Sequence, residues 1–163
     1  MDMSLKVLLS RPEPQHTWKW VYAGATLPFG LPYSYVEACS LPLNNVSSGS
    51  PIFVNGGFLK MAGSHELGPI SLTLFEDHKG STLKWIQTWK SRIKNFKTGA
   101  YGTQTEYKRD LKFSLVDTMG STHTTLLFTG CWPTDTSPLD LNYTESGKLT
   151  ITQSFDADDV EIV

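Results

Sequence analysis

The chain has 163 residues, 39% of them hydrophobic and 12% aromatic, and a formal net charge of −2. Its length fits one domain, residues 1–163, with room for a sizeable core. The charge balance lacks the basic signature of a nucleic-acid-binding chain, and no apolar run reaches the roughly 18 residues of a membrane span.

Residues 1–16 read as an N-terminal arm. Their apolar stretch, Leu5–Leu9, is interrupted by Lys6 and lacks a basic flank and a small-residue cleavage site, so it is not read as a signal peptide. Thr17 to Ala23 alternates, with Trp18, Trp20 and Tyr22 on one face. Leu27-Pro28-Phe29-Gly30-Leu31-Pro32 is a turn, and Tyr33 to Ser40 is a second strand, so the two are expected to pair as a hairpin.

Residues 44–69 are unusual. Five glycines (Gly49, Gly56, Gly57, Gly63, Gly68) are interspersed with serine and asparagine, yet two apolar patches remain, Pro51-Ile52-Phe53-Val54 and Phe58-Leu59-Lys60-Met61. They flank Asn55-Gly56-Gly57, the chemistry of a hairpin turn. A solvated loop has no need of such patches, so the segment is expected to project as a hairpin. Its residues Pro51, Ile52, Phe53, Val54, Phe58, Leu59 and Met61 are the candidate inter-subunit contacts.

Ile70 to Asp77 is a strand. After Gly80, Ser81 or Thr82 is a plausible N-cap for a helix over residues 83–96. There Trp85, Ile86, Trp89, Ile93 and Phe96 form one apolar stripe, while Lys84, Lys90, Arg92, Lys94 and Lys97 are set apart from it. Tyr107 to Asp117 and Thr122 to Thr129 form a meander that ends in Gly130-Cys131-Trp132-Pro133. A last strand alternates: Leu149, Ile151, Gln153, Phe155 and Ala157 on one face, Thr150, Thr152, Ser154, Asp156 and Asp158 on the other. The acids of residues 156–161 suit either a solvated, frayed terminus or an acidic surface facing a polyanion. The expected fold is mainly β (α+β): an antiparallel β-sandwich or partly closed barrel, with one flanking α-helix and a long projecting hairpin loop.

Catalytic signatures are missing. There is no glycine-rich phosphate loop and no Gly-x-Ser-x-Gly elbow. Glu76-Asp77-His78 groups two carboxylates with a histidine, but a polar strand end running into a turn explains it with less. Asp135 and Asp140 near Trp132 would need a particular separation to bracket a sugar, and sequence gives none. The histidines (His16, His65, His78, His123) and Cys39 and Cys131 share no ligand spacing, so no metal, cofactor or catalytic residue is expected, and the cysteines read as small buried hydrophobes.

The order of these features resembles the tail tube proteins of contractile-tailed bacteriophages, which share a fold with the haemolysin-coregulated protein of type VI secretion. The resemblance runs from Tyr33 onward. It rests on Ala38-Cys39-Ser40-Leu41-Pro42, the long hairpin, Ile70 to Asp77, the aromatic helix from Trp85 to Trp89, Gly130-Cys131-Trp132-Pro133, the acidic Leu139-Asp140-Leu141 and the alternating final strand. It implies a non-enzymatic virion protein, assembled in the host cytoplasm, with six subunits per ring. The inner sheets of a ring would join into one barrel, and rings would stack through the long loop and the chain ends. The implied partners are further copies of the chain, a tail sheath protein and baseplate hub or tube initiator proteins. Tape measure protein and DNA would pass through the lumen without specific binding, and no membrane anchor is implied. The lumen-facing candidates are Thr150, Thr152, Ser154, Asp156 and Asp158. Two other readings stand beside this one. One is a baseplate tube initiator of the same fold. The other is a β-sandwich binding a carbohydrate or protein through exposed Trp18, Trp20, Trp132 and Tyr143.

Overall fold

A computed structural model describes residues 15–144 and 146–163. Most of the expected N-terminal arm therefore lies outside the described residues, as does the segment weighed as a signal peptide. The strands are β1 (Trp20–Tyr22), β2 (Val36–Ser40), β3 (Asn44–Ser48), β4 (Ile52–Val54), β5 (Gly57–Leu59), β6 (Ala62–Leu67), β7 (Ile70–Phe75), β8 (Arg109–Val116), β9 (Thr122–Thr136), β10 (Thr150–Asp156) and β11 (Asp159–Ile162). The helices are α1 (Ser81–Ile93) and the single turn α2 (Gln104–Tyr107).

Seven strands form one antiparallel sheet in the order β1-β8-β9-β10-β7-β2, with β11 also on β9. The sheet folds into two halves that share β9. The first part of β9 pairs with β8 and β11, and the last part pairs with β10. The hinge is Gly130, whose φ of +63° is left-handed and whose missing Cβ would lie 2.1 Å from an Asp158 carboxylate oxygen. Only glycine satisfies both demands there.

Several expectations need correction. β2 pairs with β7 and β1 pairs with β8, so the first two strands do not form a hairpin. The turn between them is too long and proline-rich to fix a register, and both strands take longer partners elsewhere. β9 does not end at Gly130-Cys131-Trp132-Pro133 but bends through it. Pro133, which has no N–H to offer, still fits because that half of β9 is bonded on one side only. The acidic terminus is not frayed: β11 pairs with β9 from Asp159↔Thr129 to Ile162↔Leu126, and Val160 is buried. α2 lies between the expected helix and the strand expected from Tyr107, where no helix was expected, and is held by a capping box between Thr103 and Glu106.

The helix expected over residues 83–96 begins two residues earlier and ends at Ile93. Trp85, Ile86 and Trp89 are buried as expected, whereas Phe96 lies beyond the helix and is 70% exposed. The core gathers where α1 crosses the sheet. Trp89 packs against Trp85, Phe29 and Phe155, with ring centroids 5.2 to 5.6 Å apart. Leu72, Leu74, Leu111, Phe113, Phe128 and Ile151 complete it from the sheet. The alternation of β10 is as expected: Ile151, Gln153 and Phe155 are fully buried, while Thr150 and Asp156 are exposed. Buried Gln153 is satisfied by Thr136 Oγ1 and the Ser154 carbonyl, and Thr136 Oγ1 accepts a bond of 2.6 Å from Lys90 Nζ.

Candidate assembly surfaces

The carboxylate–histidine cluster is structural. The Ser81 N–H donates to Asp77 Oδ1 at 2.9 Å, and the Thr82 and Leu83 N–H groups donate to the two Glu76 oxygens at 3.0 and 2.9 Å. The first three amides of α1, which no helical carbonyl can serve, are thereby capped. The expected caps, Ser81 and Thr82, instead occupy helical positions, and their hydroxyls donate to Asp77 and to the Phe75 carbonyl. His78 is exposed and makes no hydrogen bond among the described residues. Glu76→Ala is expected to cost about 1–2 kcal/mol in urea unfolding, because two helix amides lose their acceptor.

Asp77 is held well below the usual carboxylate range. The Ser81 hydroxyl and N–H are the main cause, joined by the Tyr35 hydroxyl and the Lys79 N–H. With its folded value depressed, Asp77 contributes its stabilisation fully above the ordinary carboxylate pKa of about 3.9 and loses it as pH falls toward the folded value. Urea midpoints measured from pH 5 to pH 2 should fall less steeply for Asp77→Asn than for the parent chain.

No cluster of three or more His, Cys, Asp or Glu side chains suited to a metal occurs among the described residues. Both cysteines are free; burial pushes the Cys39 thiol up to about 11 and the Cys131 thiol up to about 12. No helix among the described residues is long and apolar enough to cross a membrane.

The expected hairpin is present and projects. β3 and β6 form its stem, and β4 and β5 form its tip, closed by Asn55 and Gly56 at φ +46° and +78°. At the stem, Asn44 Nδ2 donates to Asp159 Oδ1 at 3.0 Å and to the Val160 carbonyl at 3.1 Å, tying the arm to β11. Among the described residues the tip has no such tie. Ile52, Phe53, Val54, Phe58, Leu59 and Met61 are 49 to 71% exposed, and Pro51 is exposed beside them. Phe53 and Phe58 pack edge to face at 5.5 Å. A two-stranded ribbon of three-residue strands is marginal in water, and this one shows apolar side chains on both faces. All seven expected contact residues thus stand together on one element that has no partner among the described residues.

The lumen-facing candidates divide. Thr150, Thr152, Ser154 and Asp156 lie on the outer face of β10, opposite its buried residues. Across the sheet Ser154 faces Ser71, which faces Ser40, and Thr152 faces Thr73. One row of hydroxyl side chains therefore runs across three neighbouring strands and a second across two, a pattern visible only once the register is known. Thr150 and Thr152 also wall a cleft of about 440 Å³ beneath the connection from Ser137 to Leu149. Asp158 departs from the set: both its oxygens accept from Lys108 Nζ at 2.8 Å, in the joint between β10 and β11.

The aromatics weighed for ligand stacking do not converge. Trp18 and Trp20 line a groove of about 520 Å³ between β1 and β2. Trp132 is half-buried under Lys108, and Tyr143 stands fully exposed on the loop between β9 and β10.

Comparison with solved structures places this architecture. A chain of the anti-feeding prophage cap (AFP tube terminating cap) superposes with a TM-score of 0.73 at 16% identity, over 94% of this chain and 93% of that one. The chain has the tail-tube fold. A chain of the extracellular contractile injection system PVC, in its sheath/tube terminator in the extended state, gives 0.71 at 15% identity, covering 93% and 98%. A chain of the PVC sheath-tube complex gives 0.62 at 16% identity, covering 100% and 98%. No protein-family model matches the sequence, and no curated protein matches it. At such low identity the tail-tube likeness is one of backbone, so assignments to individual side chains rest on the geometry above.

Proposed function

We propose that this protein is a structural ring subunit of a contractile tail or injection particle, its rings stacking into the hollow inner tube. The observation that carries the proposal is the arm. A projecting hairpin whose tip exposes a cluster of apolar side chains, without a partner among the described residues, is a liability on a monomer and an asset on a subunit. The tail-tube fold, matched over nearly the whole chain in tube and terminator assemblies, supports it.

Two open strand edges suit ring closure. Among the described residues β2 is bonded only to β7, and the end of β9 only to β10, so the half-sheet β9-β10-β7-β2 as described offers one free edge on each side. Edge-to-edge joining of six copies would give a continuous barrel. The hydroxyl rows of β7 and β10, with Asp156, would then line the bore, and carboxylates and hydroxyls there would let DNA or a tape measure protein pass without binding. Sheath and baseplate proteins would be the outer partners, in a virion assembled in the host cytoplasm. Asp156→Lys is expected to slow DNA passage through assembled tubes without disturbing assembly. Unchanged passage together with failed sheath binding would turn that face outward.

A second reading places the protein in a terminal ring rather than along the tube. It is favoured by the higher scores against the two terminator assemblies, 0.73 and 0.71, than against the sheath-tube complex, 0.62. Negative-stain imaging with size exclusion tests both. Long tubes indicate the repeating subunit, single or paired rings the terminal one. A clean monomer with saturable sugar binding would reject both.

A further inference from the structure

Charge is not spread evenly over this chain. From Lys79 to Thr105 the sequence holds six cations, Lys79, Lys84, Lys90, Arg92, Lys94 and Lys97, and not one Asp or Glu. The formal net charge of the whole chain is −2, so the other residues carry −8 between them. This cationic stretch is α1 and the loop that follows it. Lys84 and Arg92 are exposed on α1, away from its buried Trp85, Ile86 and Trp89. The ion pairs among the described residues, Lys108–Asp158, His123–Asp117 and Lys148–Glu37, include none of the six. Lys90 turns inward to Thr136, with Asp135 acting on it. Residues 1–14 hold Asp2 and Glu13 against Lys6 and Arg11, so their side chains supply no net charge to neutralise the face.

The cations are densest at the exit from α1, where the loop is tightly closed. The Asn95 N–H donates to the Ala100 carbonyl at 2.8 Å, and the Gly99 N–H donates to the Asn95 carbonyl at 2.7 Å. Asn95 Oδ1 accepts from the Lys97 N–H at 3.0 Å. Gly102 lets the loop lie against the helix end, since a Cβ there would collide with the Arg92 carbonyl oxygen. On this loop Phe96 and Tyr101 are 70 and 75% exposed. Lys94 Nζ stands 5.0 Å from the centre of the Tyr101 ring. Two aromatic rings are thus held in water with Arg92, Lys94 and Lys97 around them.

We propose that this end of α1 docks an acidic protein segment, its carboxylates against Arg92, Lys94 and Lys97 and an apolar side chain against Phe96. The proposal does not depend on the ring reading. Opposite charge selects the partner and speeds its approach, while the exposed ring anchors it. Surface ion pairs contribute little singly, and one or two rings bury far less than the roughly 800 Å² per partner of a lasting interface. The docking is therefore weak, reversible and reduced by salt. A nucleic acid fits less well. A long polyanion would also have to run over a remainder that carries −8. Lys94 already covers Tyr101, which leaves less ring surface for a base to stack on. A compact acidic segment need touch only the cationic end.

Fluorescence anisotropy with two labelled probes tests this: a short Asp/Glu peptide with a central Leu-Phe pair, and an oligothymidylate of equal charge. The parent chain should bind the peptide more tightly than the oligothymidylate in about 50 mM salt, and the affinity should fall as salt is raised. Lys94→Glu combined with Lys97→Glu should weaken peptide binding by at least about tenfold. Phe96→Ala keeps every charge and should weaken it by at least about threefold at low and high salt alike. Urea unfolding checks that both variants keep the fold. No peptide binding by the parent, tighter binding of the oligothymidylate, or an affinity untouched by the charge reversal would each overturn the proposal. Rings that form for the parent but not for the charge-reversed variant would give this face to a second copy of the chain and overturn it as well. Whether the parent forms rings at all decides the ring reading separately.

Discussion

Replacing Trp89 with alanine is expected to lower the unfolding free energy by about 3–5 kcal/mol. The indole is fully buried and contacts three other aromatic rings, from α1, from the turn after β1 and from β10. Its Nε1 donates to the Tyr107 carbonyl at 2.7 Å, so the truncation also strands an acceptor at the end of α2. The surrounding groups belong to four different elements and cannot collapse together into the space, which places the cost toward the upper end. Trp85→Ala should follow the same direction, since its Nε1 donates to the Pro28 carbonyl at 2.6 Å. Equilibrium urea unfolding measures both. A loss under about 1 kcal/mol accompanied by lost assembly would instead place the helix stripe against another subunit.

Removal of the arm tip should have the opposite profile. Deleting Ser50 to Met61, with an Asn-Gly turn joining Gly49 to Ala62, is expected to leave the unfolding free energy within about 0.5 kcal/mol. Ring and tube formation should be abolished. The stem retains its pairs from Asn44↔Leu67 to Ser48↔Ala62 and its tie to β11, whereas the tip gives nothing to the core. Circular dichroism would report the fold, and sedimentation with imaging the assembly. Tubes formed by the deletion variant would remove the tip from any stacking role.

Much of this architecture could be read from pattern. Strands such as β7 and β10 alternate cleanly because one face is buried, and the arm announced itself by Asn55-Gly56 between apolar patches. Pairing could not be read in this way. Alternation says which face of a strand is buried but not which neighbour covers its edge, so β1 and β2 looked like partners when each in fact serves a distant strand. The bend in β9 was hidden because Gly130 beside Pro133 looks like the end of a strand. Glu76 and Asp77 are caps placed before the usual N-cap position, where sequence rules do not look. The hydroxyl rows and the groove between β1 and β2 depend on register and closure, and both are set by contacts between residues far apart in sequence. α2 was passed over as well, although Thr103 followed three residues later by Glu106 is the signature of a capping box.

The central position of β10 has a consequence for the order of events during synthesis. β10 is made after both of its neighbours, yet it stands between β9 and β7 and is bonded to both. Until it is released, the sheet is two fragments: β7 with β2, and β8 with β9 and β1. The core under α1 lacks Ile151, Gln153 and Phe155 during that time. The projecting arm, by contrast, is complete once Leu67 has been made, before β7 and the helix that covers the core. A nascent chain therefore shows its apolar arm tip to solvent before its own core can close, and the fold is complete only when β10 slots in between β7 and β9.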